Sequence, residues 1–221
     1  MTETLPAAAP KPRWRLSAKH AALLIGFGLT ALGLLGPQVY VTPVEDQAAE
    51  VAVFAKTTAA RLENLRGWQS QYLMFEQIGA LVTALDVTGS AAPDSTQSHT
   101  LRDLEQLALL DRANPLRRMI GELAMAKKLV YRETSDRYQA LIDAARKEMT
   151  PEALRAVNDF ENAIVRQAND LMAELQKIAG DAETGKAQAE AIAAQRKLHL
   201  LLLMTLGSTL LLAANLLSEK T

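Results

Sequence analysis

The sequence predicts an all-α protein in which two transmembrane helices flank an extracytoplasmic up-down-up-down four-helix bundle. Three observations predict it. Two long apolar runs, from about Ala21 to Tyr40 and from about Leu198 to Leu217, bracket the 221-residue chain, and each is long enough to cross a bilayer as a helix. Between them apolar residues recur three and four positions apart, the period of a helix with one buried face. The composition is rich in Ala and Leu, poor in aromatics and free of Cys, which suits long packed helices and excludes disulfide and thiolate chemistry.

The elements follow in order. Residues 1–18 carry Pro6, Pro10 and Pro12 among Ala and basic residues and read as a disordered cytoplasmic tail. Residues 19–40 are the first transmembrane helix, rich in glycine (Gly26, Gly28, Gly33, Gly36). A cleaved signal peptide would need a shorter apolar core and a small-x-small cleavage site. The run Pro37-Gln38-Val39-Tyr40 is a poor one, so the segment reads as a retained anchor. Pro37 and Pro43 mark the exit from this span.

The bundle covers 41–197. Its first helix spans about 44–87, with Val51, Phe54, Leu62, Leu65, Tyr72, Phe75, Val82 and Leu85 on the apolar period. The composition of 88–98 predicts a loop. Thr100 is placed to cap a short helix over 100–112. Asn114 followed by Pro115 pairs a cap with a first-turn proline and predicts a helix over 115–148. The apolar stripe of that helix breaks at Glu133-Thr134-Ser135-Asp136, which predicts a kink there. Thr150-Pro151-Glu152 starts the last helix, 151–197, in the same way. Val157, Ile164, Ala168, Leu171, Leu175, Ile178, Ala182, Ala189 and Ile192 form a heptad seam along it, the pattern of a coiled-coil face. No breaker separates it from the second transmembrane helix, 198–217, so the two read as one rod. Residues 218–221 are a short cytoplasmic tail.

Charge sets the expected orientation. Lys11, Arg13, Arg15 and Lys19 precede the first span, whereas Glu45, Asp46 and Glu50 follow it. Positive residues stay inside, which puts both termini in the cytoplasm and 41–197 in the periplasm of a bacterial inner membrane protein. Arg196 and Lys197, at the outer edge of the second span, argue weakly the other way. Lys, Arg, Asp and Glu are otherwise interspersed, with a net charge of −1, and no clustered basic face points to nucleic acid.

No catalytic constellation is visible. His20, His99 and His199 lack partners at metal-ligand spacing, and there is no phosphate loop or nucleophile motif. The residues predict no enzyme, no cofactor and no metal site. Arg61, Arg66, Trp68 and Tyr72 lie close together on the first bundle helix. They read either as a heptad core with basic flanks or as a pocket for a small anionic ligand, with Arg as clamp and aromatics as walls. Ala22, Gly26, Thr30 and Gly33 on the first span read either as the general glycine enrichment of membrane helices or as a close helix–helix contact, within the hairpin or across a dimer.

Asn64-Leu65-Arg66-Gly67-Trp68-Gln69 resembles the Asn-Leu-x-Gly-x-Gln segment on the first helix of the type IV pili methyl-accepting chemotaxis transducer N-terminal domain, to which the sensors of nitrate/nitrite kinases are related. Gln167 to Met172 and Gln195 to Leu201 are similar to the last helix of that family as it enters its second span. The resemblance implies a periplasmic four-helix sensor, usually dimeric, that signals through small helix displacements. In the nitrate sensors an Arg stands three positions after that Gly; here it is Ser70, so the anion-binding residue is not carried over. The family continues into cytoplasmic signalling domains, whereas this sequence stops at Thr221. The expectation is therefore a stand-alone sensor-like membrane protein. It would bind a small ligand or protein partner and relay through its spans to a separate protein, as a homodimer or with another membrane protein. The alternative is a structural or accessory subunit of a larger membrane complex.

Overall fold

The computed structural model describes residues 18–88 and 96–218. The expected tails and most of the expected 88–98 loop lie outside these residues. Among the described residues the chain is almost entirely helical, with no strand. The helices are α1 (Ala18–Gly36), a π-helical turn (Pro37–Val41), α2 (Thr42–Thr88), α3 (Thr96–Met125), α4 (Tyr131–Glu148) and α5 (Pro151–Ser218). Because α1, the π turn and α2 follow without a break, there are four helical runs.

Two of these runs are long and apolar enough to cross a membrane. Their 18-residue windows have mean hydropathy 1.7, and only 11% and 17% of those windows is buried. A core helix of a soluble domain would be mostly buried. Here Leu24, Phe27, Leu34, Leu201, Leu206 and Leu212 all stand exposed.

The described residues form two compact units, one of 18–51 with 185–218 and one of 52–184. The second holds the main core. Leu62, Leu65 and Tyr72 of α2 meet Leu116, Met119, Ile120 and Leu123 of α3, Tyr138 and Ile142 of α4, and Val157, Ile164, Ala168 and Leu171 of α5. The first unit has a small cluster of Val41, Ala193 and Leu200.

α3 differs from expectation. It starts at Thr96 rather than Thr100, and it runs through Asn114-Pro115, where the sequence predicts a boundary. Pro115 lacks an N–H and costs a helix interior about 3 kcal/mol. Against that, Leu109, Ala113, Leu116, Met119, Ile120 and Leu123 are all buried on one face across the proline. Each large apolar side chain contributes about 1.5–3 kcal/mol, so packing outweighs the local cost.

The chain breaks instead at 126–130, ahead of the expected kink at 133–136, and the polar Glu133–Asp136 stretch lies within the first turns of α4. Lys127 has φ 57°. Its N–H donates to the Ala124 carbonyl and that of Lys128 to the Leu123 carbonyl, both at 2.9 Å. This pair of bonds is a Schellman cap, which usually has glycine in the left-handed position. Lysine there is strained by about 1–2 kcal/mol. Lys127→Gly is therefore expected to raise the thermal midpoint by about 2–8 °C, measured by circular dichroism in detergent.

α5 begins at Pro151, where Thr150 Oγ1 accepts from the Ala153 N–H at 3.2 Å. It continues unbroken for 68 residues. Its seam is buried from Val157 to Leu175, whereas Ile178 and Ile192 are 40% and 45% exposed. The seam alanines between them, Ala182 and Ala189, are half-buried.

Candidate functional site

One polar residue sits on the buried seam of α5. Glu161 lies four positions after Val157 and three before Ile164, and it is fully buried. Its Oε1 accepts from the Tyr138 hydroxyl at 2.6 Å, and its Oε2 accepts from the Tyr72 hydroxyl at 3.1 Å. Arg112 Nε stands 3.2 Å from Oε2, as an ion pair without a hydrogen bond of its own. The Arg112 Nη2 donates to Asn158 Oδ1 at 2.9 Å. The Phe160 ring stacks on Tyr138, centroids 5.3 Å apart. Side chains of α2, α3 and α4 thus converge on one carboxylate of α5.

Burial pushes the Glu161 carboxyl above its ordinary range. Arg112 and the two tyrosine donors pull it back, while Glu76 pushes it further up. Burial raises both phenols too, and the neighbouring carboxylate adds to the rise, so Tyr72 and Tyr138 remain protonated donors. Both hydroxyls donate to a single acceptor that an arginine neutralises. The arrangement holds helices together and can take up a proton.

A carboxyl whose pKa is higher folded than unfolded contributes stability in acid, and loses it as pH rises from the ordinary 4.5 through the folded value. Glu161→Gln, which cannot ionise, removes this dependence. The gap in thermal midpoint between wild type and Glu161→Gln is expected to be larger near pH 4.5 than at neutral pH, measured by unfolding across that range.

The four residues picked out on the first bundle helix do not form one pocket. Arg61 turns to α3, with Nη2 2.9 Å from Glu122 Oε2. Arg66 turns to α5, where it donates to Gln176 at 3.2 Å. Five positions place them about 140° apart around a helix, so they cannot clamp one anion. Tyr72 belongs to the Glu161 network. Trp68 lines a groove of about 490 Å³ between α2 and α3, with Met74, Phe75, Asp111, Pro115 and Arg118. Two other open grooves are lined by residues next to the Glu161 network, though not by Glu161 itself. One of about 210 Å³ holds Glu76, Thr83, Glu105, Arg112 and Asn158. The other, of about 570 Å³, holds Glu133, Arg137, Leu141, Asp159 and Phe160.

No family model matches the chain, and no curated protein or solved structure matches it. Function is therefore argued from these residues.

On α1, Gly26 and Gly33 face α5 of the same chain, and Ala22 is half-buried. A Cβ at Gly26 would stand 3.0 Å from the Gly207 carbonyl oxygen, and one at Gly33 2.7 Å from Met204 Cβ. The Thr30 hydroxyl donates to the Gly26 carbonyl at 2.8 Å. Their partner, Gly207, is the lone glycine of the leucine-rich run, a signal that the first span's pattern overshadowed. Among the described residues no group of three or more His, Asp or Glu side chains is placed to hold a metal ion.

Arg112, Tyr138 and Glu161 were not singled out by sequence reasoning. The available signal was the interruption of the Val157–Ile164–Ala168–Leu171 seam by a carboxylate at the seam spacing.

Proposed function

We propose that this chain is a two-span membrane protein whose 41–197 region is a sensor-like four-helix bundle, and that changes in the bundle travel along α2 and α5 into the apolar helices. The observation that carries this reading is that Glu161, the convergence point of α2, α3 and α4, stands on the same unbroken helix as the leucine-rich stretch 198–217. A small shift of the tyrosine or arginine partners changes how α5 is held. A ligand acts by binding one such arrangement better than the other. The open grooves that hold Arg112 and Phe160 are where a small ligand or a protein partner would act on the residues around Glu161.

The membrane reading rests on the two poorly buried apolar helices, and the orientation on the basic flank of the first. Arg196 and Lys197 weigh little against it. Arg196 donates to the Tyr40 carbonyl at 2.8 Å and Lys197 pairs with Glu45 at 2.5 Å, but orientation follows mainly the flank of the first span. The short likeness to chemotaxis-transducer sensors supports the same function.

A thermal-shift screen of the full chain in detergent, against small anions and amino acids, tests ligand sensing. The expected result is a raised midpoint with one class. A second reading, an accessory subunit of a membrane complex, draws on the exposed Met74, Ile78 and Leu81 of α2 and Leu104 and Leu107 of α3. No shift with any compound, together with stable co-purification with a larger complex in mild detergent, would favour it.

A further inference from the structure

The buried positions Gly26 and Gly33 of α1 are seven residues apart, and so are Val41 and Ala48 beyond it, about two helical turns in each case; the interval between the two pairs is longer. Gly26, Gly33 and Gly36 contact α5, and the next buried position is Val41. The step from Gly36 to Val41 is five residues, which in a straight α-helix would carry Val41 well off the packing face. The π turn Pro37–Val41 covers this step. An i→i−5 turn contains one residue more than an α turn, so the glycine face of α1 and the Val41 face of α2 both meet α5.

Two sets of contacts hold the turn. The Thr42 N–H closes it onto the Pro37 carbonyl, with the Thr42 hydroxyl donating to the same oxygen at 3.1 Å. Across from it, Arg196 of α5 donates to the Tyr40 carbonyl and lies 4.4 Å over the Tyr40 ring. A π turn is intrinsically poor, and Pro37 offers no N–H to the turn before it. The charge-assisted bond and the cation–π contact favour the state in which Tyr40 faces Arg196.

We propose that Arg196 is the latch of a local switch in which Pro37–Val41 passes between its π turn and an α turn. Closing to α removes one residue from the turn and rotates α1 relative to α2 by about 100°. The glycine face and the Val41 face then no longer meet α5 together. The switch belongs to this unit alone, and its test does not involve Glu161.

The absence of Cys makes labelling specific. Spin labels on Leu35→Cys of α1 and Leu202→Cys of α5, in the full chain in lipid vesicles, report the rotation as a distance. A turn of about 100° at a side-chain radius of about 5 Å moves the first label by about 8 Å. Arg196→Met and, separately, Pro37→Ala are expected to populate a second distance that the parent lacks, whereas Arg196→Lys, keeping a cationic donor, shows less of it. Unchanged distances in both Arg196→Met and Pro37→Ala would overturn the switch. So would general loss of helix in both, because Arg196 and Pro37 would then be structural pins.

Discussion

Glu161→Leu is expected to destabilise the 52–184 unit by about 3–5 kcal/mol, the cost of leaving a buried ion partner unpaired. The substitution strips Arg112 of its carboxylate and leaves the Tyr72 and Tyr138 hydroxyls without their acceptor. A domain has only about 5–15 kcal/mol of stability, so one change consumes much of it. The companion variant separates this from simple loss of packing. Adding Arg112→Met, Tyr72→Phe and Tyr138→Phe to Glu161→Leu removes Glu161 and its three direct partners, and apolar replacement of a whole buried ion network is often neutral or stabilising. The quadruple variant should recover most of the loss in thermal unfolding followed by circular dichroism. A single variant within about 1 kcal/mol of wild type, the net worth of an ordinary hydrogen bond, would show that the network holds little.

Gly207→Ile is expected to break the contact between α1 and α5. A Cβ at this position would lie 2.7 Å from the Gly26 carbonyl oxygen and 2.8 Å from the Thr30 nitrogen. Both are backbone atoms, which cannot turn aside as a side-chain end can. Without water to drive the helices together, close backbone approach is what joins them in lipid. The spin-label distance between positions 35 and 202 should therefore lengthen and broaden. Gly28→Ile is the control, because a Cβ at Gly28 meets nothing within 4 Å; its distance should match the parent.

Features carried by local periodicity were legible in the residues. The all-α class follows from the three-and-four spacing, and the Thr150-Pro151 start and unbroken course of α5 follow from a cap and a long run without breakers. What was not legible depends on competition between local and distant forces. Pro115 looks like a boundary until the buried face that runs across it is known. The α3–α4 break falls at Lys127, where a strained lysine occupies a position that glycine would have announced. The π turn shows in the sequence only as one five-residue step, visible once Gly36 and Val41 are known to meet the same Leu200 of α5.

The site was less legible than the fold. Aromatic and basic residues on one stretch of α2 suggested a pocket, but Arg61 and Arg66 point to different helices. Tyr72 lies in the core, as the heptad-core reading has it, and its hydroxyl donates to a buried carboxylate. Glu161 interrupts an apolar seam at the seam's own spacing, and a carboxylate there needs partners that only the packed helices supply.

The hold on Glu161 is proposed to govern the arrangement of the apolar helices. Its most direct test is the spin-label distance between Leu35→Cys and Leu202→Cys in lipid vesicles, compared between the parent chain and Glu161→Gln, with helix content checked in both. A shifted or newly split distance distribution in a fully helical Glu161→Gln is the predicted result. Identical distributions in two equally folded proteins would show that Glu161 does not govern the apolar helices.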